Sequence, residues 1–198
     1  MSRKLPRELE NPIDTIMYNI SGELAPTFKK LHFTPNILTI ISFMCGLLSI
    51  YFYTIEKYVF SAIMFALASL FDCCDGDFAR RYNMTSKFGD ILDHTTDSII
   101  IILLIVVFCM KYRTAPGIIK YVPLLWIPVA LLTYMHMGCE SSYHTKKTGK
   151  KEVFHFIEYL CPTGNITKVS KLMKYTRYIG YGTKQLFVIF LILLSATF

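Results

Sequence analysis

The sequence predicts an all-α integral membrane protein, a bundle of five to six transmembrane helices preceded by an amphipathic interfacial helix. Three observations carry this. The 198 residues are 53% hydrophobic and 15% aromatic, with a mean hydropathy of +0.41, well above the range of a soluble globular domain. Apolar stretches able to cross a bilayer, which takes about 20 residues, run near 35–53, 58–71 with an extension into the acidic stretch that follows, 88–110 and 121–139, and a further one at 182–198 closes the chain. Lys and Arg are distributed by side: with a cytoplasmic N-terminus, sixteen fall on that side and four (Lys57, Lys111, Arg113, Lys120) on the other.

The net charge of +7 therefore reads as topology. The basic residues follow the spans instead of covering one soluble face, so no nucleic-acid partner is expected. Residues 1–33 contain no apolar stretch followed by a small-residue cleavage site and are not expected to be a cleaved signal peptide. They form the interfacial segment, and 34–198 the transmembrane domain. Within the segment, Asn11-Pro12 reads as a helix cap with Pro at the first position, and Ile13, Ile16, Met17, Ile20 and Leu24 follow on one stripe. That stripe suits a helix in the membrane interface or one packed on the bundle, with Pro26 ending or kinking it.

Thr34-Pro35-Asn36 opens the first span, and the short link 54–57 makes the first two spans a tight antiparallel hairpin. Residues 144–177 are too polar to cross, although 153–161 has the apolar character to dip into the interface or pack beneath the bundle. The six cysteines show no CxxC spacing, and neither a disulfide framework nor a zinc site is expected. Asn19, Asn83 and Asn165 stand in glycosylation sequons that this orientation keeps cytoplasmic and unmodified.

Against this apolar background, residues 72–97 hold six aspartates. If the second span continues helically past Phe71, then Asp72, Asp75, Gly76, Ala79 and Arg80 share one face, while Asp77 points away. In the third span Gly89, Asp93 and Asp97 stack at intervals of four, with Asp90 off the stripe. Asp72, Asp75, Asp93 and Asp97 thus converge across the turn. Acids at membrane depth cost at least about 2.5 kcal/mol each and repel one another. Arg80 alone does not neutralise them, and an all-oxygen cluster is what hard divalent cations require. The pattern points to a site for two Mg²⁺ or Mn²⁺ ions. Solvated helix ends would not concentrate their acids on one face. A cation transporter would continue polar groups toward the far side, and 99–108 has none. His94 lies off the acidic face and His136 and His155 are isolated, so all three read as bystanders or as contacts to the second substrate.

The run Asp72-x2-Asp75-Gly76-x2-Ala79-Arg80-x8-Gly89-x3-Asp93-x3-Asp97 resembles, without a departure, the signature of the CDP-alcohol phosphotransferases, also called CDP-alcohol phosphatidyltransferases. Residues 34–39 resemble the PNxxT segment of that family's first span. The resemblance implies a six-span enzyme of phospholipid biosynthesis, usually a homodimer, that moves a substituted phosphate from a CDP-linked donor to an alcohol and releases CMP. It implies metal ligation by Asp72, Asp75 and Asp93, with Asp97 as general base that also touches a metal. It further implies donor contacts from Asn36, Thr39, Gly76, Ala79, Arg80, Ser86 and Gly89. One substrate is then a lipid. The short chain and the basic run Lys168, Lys171, Lys174, Arg177 favour CDP-diacylglycerol as donor with a small polar alcohol as acceptor. The alternative, CDP-choline or CDP-ethanolamine with diacylglycerol, draws on residues 11–14 and Ser42.

Overall fold

A computed structural model describes residues 5–149 and 155–198. Seven α-helices follow in order: α1 Pro12–Lys30, α2 Pro35–Thr54, α3 Tyr58–Arg81, α4 Lys87–Tyr112, α5 Trp126–Thr148, α6 Ile166–Thr176 and α7 Tyr181–Leu194, joined in places by short 3-10 turns, and there is no strand among the described residues. Five stretches are helical, long and apolar enough to cross a membrane: α2, α3, α4, the 3-10 turn Ile119–Leu125 with α5, and α6 through α7. No sixth crossing occurs among the described residues.

The helix starts are written in the sequence. Asn11, Thr34, Ser86 and Asn165 each cap a helix with a side-chain oxygen, and Pro12 and Pro35 follow as first helical residues whose missing N–H costs nothing there. Asn11 is fully buried and does more. Its amide donates to the Arg177 carbonyl at 2.6 Å and to Thr183 Oγ1 at 2.9 Å, fastening the start of α1 to the junction of α6 and α7.

Helix α1 packs on the bundle, the second of the two sequence alternatives. One face of α1 packs on α3 and α7: Ser21 and Ala25 are buried, and Ser21 donates to Asp77 at 3.1 Å. The opposite face leaves Ile16 and Ile20 exposed, as a helix lying against lipid requires. Pro26 does not end the helix, which runs on to Lys30.

Below the acidic stretch, α2, α3, α4 and α7 share a core of Tyr53, Phe65, Leu104, Phe108, Tyr112 and Leu191. Small polar groups tie it: Ser42 donates to the Ala68 carbonyl at 2.9 Å, Tyr112 to that of Leu191 at 2.7 Å, and Tyr53 pairs with Ser195 at 2.8 Å. This packing fixes α3 against α4, and so fixes their acidic ends.

Two expectations need correction. Cys139 and Cys161 form a disulfide, although cysteine spacing gave no sign of one. The turn His155–Leu160 folds back onto α5 where Gly138 leaves room, and that return brings the two sulfurs together. His136 is not isolated: it is buried, with Nδ1 2.8 Å from Thr176 Oγ1 and Nε2 3.2 Å from Glu140. The side chain of His155, and residues 153–154 of the stretch expected to dip into the interface, lie outside the description.

Candidate functional site

As the sequence predicts, α3 remains helical through the acidic stretch to Arg81. Ser86 caps α4 by accepting from the Gly89 amide at 3.0 Å, so the five residues between the two helices make a tight turn. Carboxylate oxygens of Asp72, Asp75 and Asp93 lie within 4.8 Å of one another, the one close cluster of metal-capable groups found among the described residues. Asp97, one turn deeper on α4, lies beside Asp72 on the wall of a second cavity.

The cluster divides two cavities. The larger, about 450 Å³ and open, is lined by Asp75 and Asp93 together with Asn36, Thr39, Gly76, Ala79, Arg80, Ser86 and Gly89. Every donor-contact residue expected from the sequence therefore stands on one surface. The smaller, about 40 Å³, is lined by Asp72 and Asp97 with Ser42, Ser69, Thr96, Tyr181, Lys184 and Gln185.

Local packing explains the small residues. A Cβ on Gly89 would stand 3.0 Å from Asn36 Oδ1 and 3.1 Å from Ser86 Oγ, so Gly lets α2 close over the start of α4. A Cβ on Gly76 would press on the Arg80 guanidinium at 3.1 Å. Arg80 also lies over the Tyr18 ring at 5.9 Å, which orients it from α1.

Hydrogen bonds orient the acids individually. Thr39 Oγ1 donates to Asp75 at 2.5 Å, and Tyr181 OH donates to Asp72 at 3.0 Å. Asp93 Oδ1 is buried with no hydrogen-bond partner. A trio of close carboxylates with an orphaned oxygen is the donor set of a hard divalent cation, and the residues present fit Mg²⁺ or Mn²⁺.

Of the two off-face acids, Asp77 leaves the site and Asp90 does not. Asp77 is buried on the other side of α3, where Arg81 binds it at 3.0 Å. Asp90 lines the larger cavity, 3.7 Å from His94. Sequence reasoning missed Tyr181, Lys184 and Gln185 of α7 and His144 of α5, which reach the cavities from helices outside the motif. Lys184 was the one available signal, a single Lys inside the last apolar stretch. The basic run behaves otherwise. Lys168, Lys171 and Lys174 are exposed and line neither cavity, and Arg177 donates to the Glu8 carbonyl and to Tyr178.

Comparison with known proteins gives the family. The family model described as CDP-alcohol phosphatidyltransferase matches residues 32–195. The chain is 33% identical over 97 residues to the archaetidylinositol phosphate synthase of Pyrococcus horikoshii, covering 49% of this chain and 47% of that protein. It is 24% identical over 175 residues to the CDP-diacylglycerol–serine O-phosphatidyltransferase of Helicobacter pylori, covering 84% and 69%. It is 30% identical over 122 residues to choline/ethanolaminephosphotransferase 1 of Saccharomyces cerevisiae, covering 56% and 30%. The match thus spans about half the length of the archaeal relative and less of the yeast one. No solved structure matches. With the family model covering most of the chain and the acidic signature assembled on α3 and α4, this multi-pass membrane protein belongs to the CDP-alcohol phosphatidyltransferases, enzymes that transfer substituted phosphate groups.

Proposed function

We propose that the chain transfers a substituted phosphate from a CDP-linked donor to an alcohol with release of CMP, and that Asp72, Asp75 and Asp93 hold two divalent cations at the point of transfer. The observation that supports this most is the acidic cluster set between two cavities, with Asp75 and Asp93 toward one and Asp72 and Asp97 toward the other. Bound cations would neutralise charge on the transferred phosphoryl group and on the leaving CMP.

The protein's own groups divide the remaining work. The larger cavity has the size and polarity for a nucleotide, with Asn36, Thr39, Ser86 and the small residues Gly76, Ala79 and Gly89 on its wall. Arg80 offers a planar fork of donors to a phosphate oxygen. Asp97 stands on the opposite side of the cluster, where an alcohol attacking in line with the leaving CMP would arrive, and accepts the alcohol proton. Thr39 and Tyr181 hold two of the carboxylates in place and limit their rotation.

For the substrates, CDP-diacylglycerol as donor and a small polar alcohol as acceptor is the first reading. The Helicobacter relative, which aligns over 84% of the chain, is named for that donor. A second reading, CDP-choline or CDP-ethanolamine with diacylglycerol, is favoured by the exposed lysines of α6, which stand away from both cavities and are not placed to receive a phosphorylated acceptor. The Lys/Arg bias supports a site facing the cytoplasm, and the family resemblance supports a homodimer.

The test is a donor exchange. Purified protein in detergent is given CDP-diacylglycerol with a panel of polar alcohols, or CDP-choline or CDP-ethanolamine with diacylglycerol, and CMP release is followed. CMP from the first pairing alone supports the first reading, and from the second alone overturns it. Cation binding without CMP from any pairing would refute the transferase reading itself.

A further inference from the structure

The smaller cavity carries features that metal ligation and proton transfer leave unused. Lys184 and Gln185 of α7 are 4% and 7% exposed, and neither side chain makes a hydrogen bond or ion pair with a described residue. The Lys184 ammonium lies over the Tyr181 and Tyr134 rings at 4.5 and 5.9 Å, with the carboxylates of Asp97, Asp72 and Asp14 within electrostatic reach. Both side chains also border a third, apolar gap of about 20 Å³ walled by Leu104, Ile105, Phe108, Trp126 and Val188. There the indole N–H of Trp126 is buried with no hydrogen-bond partner. Ile105, at the outer edge of this gap, is 39% exposed on the membrane-facing surface.

Three buried groups able to donate hydrogen bonds thus line a path that starts at Asp97 and becomes hydrocarbon. Unmet donors at this depth are costly, and their arrangement describes what would meet them. The occupant offers acceptors without a full charge, since one ammonium already shares its surroundings with Asp97 and Asp72. It is slim, since gaps of about 40 and 20 Å³ are parted only by side chains such as Phe65 and Ile101. It continues as a hydrocarbon chain toward the bilayer. A nucleotide or a phosphorylated polyol has none of these properties, and an ester of glycerol has all of them.

We propose that Lys184, Gln185 and Trp126 seat the ester-bearing glycerol backbone of the diacylglycerol portion of the lipid substrate, with an acyl chain running past Leu104, Ile105 and Phe108 into the membrane. The inference rests on the second pairing, with diacylglycerol as the acceptor whose hydroxyl meets Asp97; with CDP-diacylglycerol as donor the polar alcohol would have to arrive in this same cavity. The ester carbonyls accept from Lys184 and Gln185, and the reacting end of the lipid is thereby held beside Asp72 and Asp97.

The experiment uses the full chain in detergent with Lys184→Met, Gln185→Leu and the double variant, substitutions that keep length while removing donors. In the productive pairing, KM for the lipid rises about tenfold for each single variant, the loss of roughly one good hydrogen bond, while KM for the water-soluble substrate stays within about threefold. A second measurement is independent of turnover: a diacylglycerol carrying a diazirine near the head of one acyl chain is photolysed on the parent protein and the adducts are mapped. Adducts on α4 at 104–108 and on α7, lost in the double variant, are expected. Competition by unlabelled diacylglycerol is expected, and competition by CDP-diacylglycerol alone overturns the seat. A rise in KM for the water-soluble substrate instead, or adducts confined to other helices, overturns the seat. Adducts at α4 and α7 with no CMP from any pairing would refute the proposed reaction and leave the seat standing.

Discussion

Asp77→Asn separates two roles that aspartates of one short stretch perform. Asp77 is 1% exposed, and its Oδ2 accepts from Ser21 of α1 at 3.1 Å and from Arg81 Nη2 at 3.0 Å and Nε at 3.3 Å. The amide keeps an oxygen for Ser21 but gives up the charge that strengthens the Arg81 bonds. Because the Arg81 side chain is 36% exposed, its guanidinium recovers part of that loss from water. The net cost is about 1–2 kcal/mol, between a neutral and a charge-assisted hydrogen bond. At about 2–4 °C per kcal/mol for a chain of this size, the midpoint falls by roughly 2–8 °C. Asp75→Asn acts with the other sign: the amide still accepts from Thr39 and removes one of the mutually repelling charges, so the metal-free protein is no less stable than the parent while turnover is abolished. Thermal unfolding in detergent without divalent cation, paired with CMP release in its presence, reads both. If Asp77→Asn loses turnover as completely as Asp75→Asn at the parental midpoint, the assignment of faces on α3 is wrong.

Activity is expected to vanish in excess chelator and return with Mg²⁺ or Mn²⁺, because the carboxylate trio acts through shared ions; undiminished CMP release would end the metal hypothesis. Asp97→Asn should keep donor binding and lose transfer by roughly 10²–10⁴-fold, the usual range for a general base, whereas equal loss of donor binding would make it chiefly a metal ligand. Asp14 of α1 is pushed up to about 7 by burial, with Glu140 and Glu10 adding to the rise and the Gly182 amide and Lys184 opposing it. Its folded pKa lies above its unfolded value, so the folded state binds the extra proton. Stability from this group is therefore lost as pH rises from about 4 to about 7 and is level beyond. Asp14→Asn should flatten the midpoint between pH 5 and 8, and an unchanged slope would remove Asp14 as its source.

What was legible in the sequence was local. Spacing of three and four placed Asp72, Asp75, Asp93 and Asp97 on facing stripes, and Asn11-Pro12 and Thr34-Pro35 marked where two helices begin, because each of these signals lies within one or two turns. What escaped depends on chain return. Cys139 and Cys161 are 22 residues apart and meet only because a short turn folds onto α5. Tyr181 reaches Asp72 from 109 residues away, and no periodicity within α7 announces that contact. The basic run of α6 misled for a related reason: Lys168, Lys171 and Lys174 share an exposed face, and only the buried Val169 and Met173 show which way that helix is turned.

The same spacing explains why the cluster has two sides. A helix turns about 100° per residue, so Asp72 and Asp75 stand some 60° apart on α3, and Asp93 and Asp97 about 40° apart on α4. The helices are antiparallel across a tight turn, and chain direction sorts the acids by depth. Going toward the turn, α3 passes Asp72 before Asp75; leaving it, α4 passes Asp93 before Asp97. Asp75 and Asp93 form the layer nearer the turn and border the large open cavity, while Asp72 and Asp97 form the deeper layer and border the small one. A displacement at phosphorus needs its leaving group and its nucleophile on opposite sides. Two carboxylates per helix, one turn apart, on two antiparallel helices supply that arrangement with no further element. A single acid per helix would leave one layer without a charge, and an added residue in either interval would turn one acid, with the rest of its helix, by about 100° away from the other. Asp97→Ala should therefore abolish transfer while the cation-dependent rise in midpoint persists, because the close trio is left intact; loss of that rise as well would mean that Asp97 belongs to the ligand set.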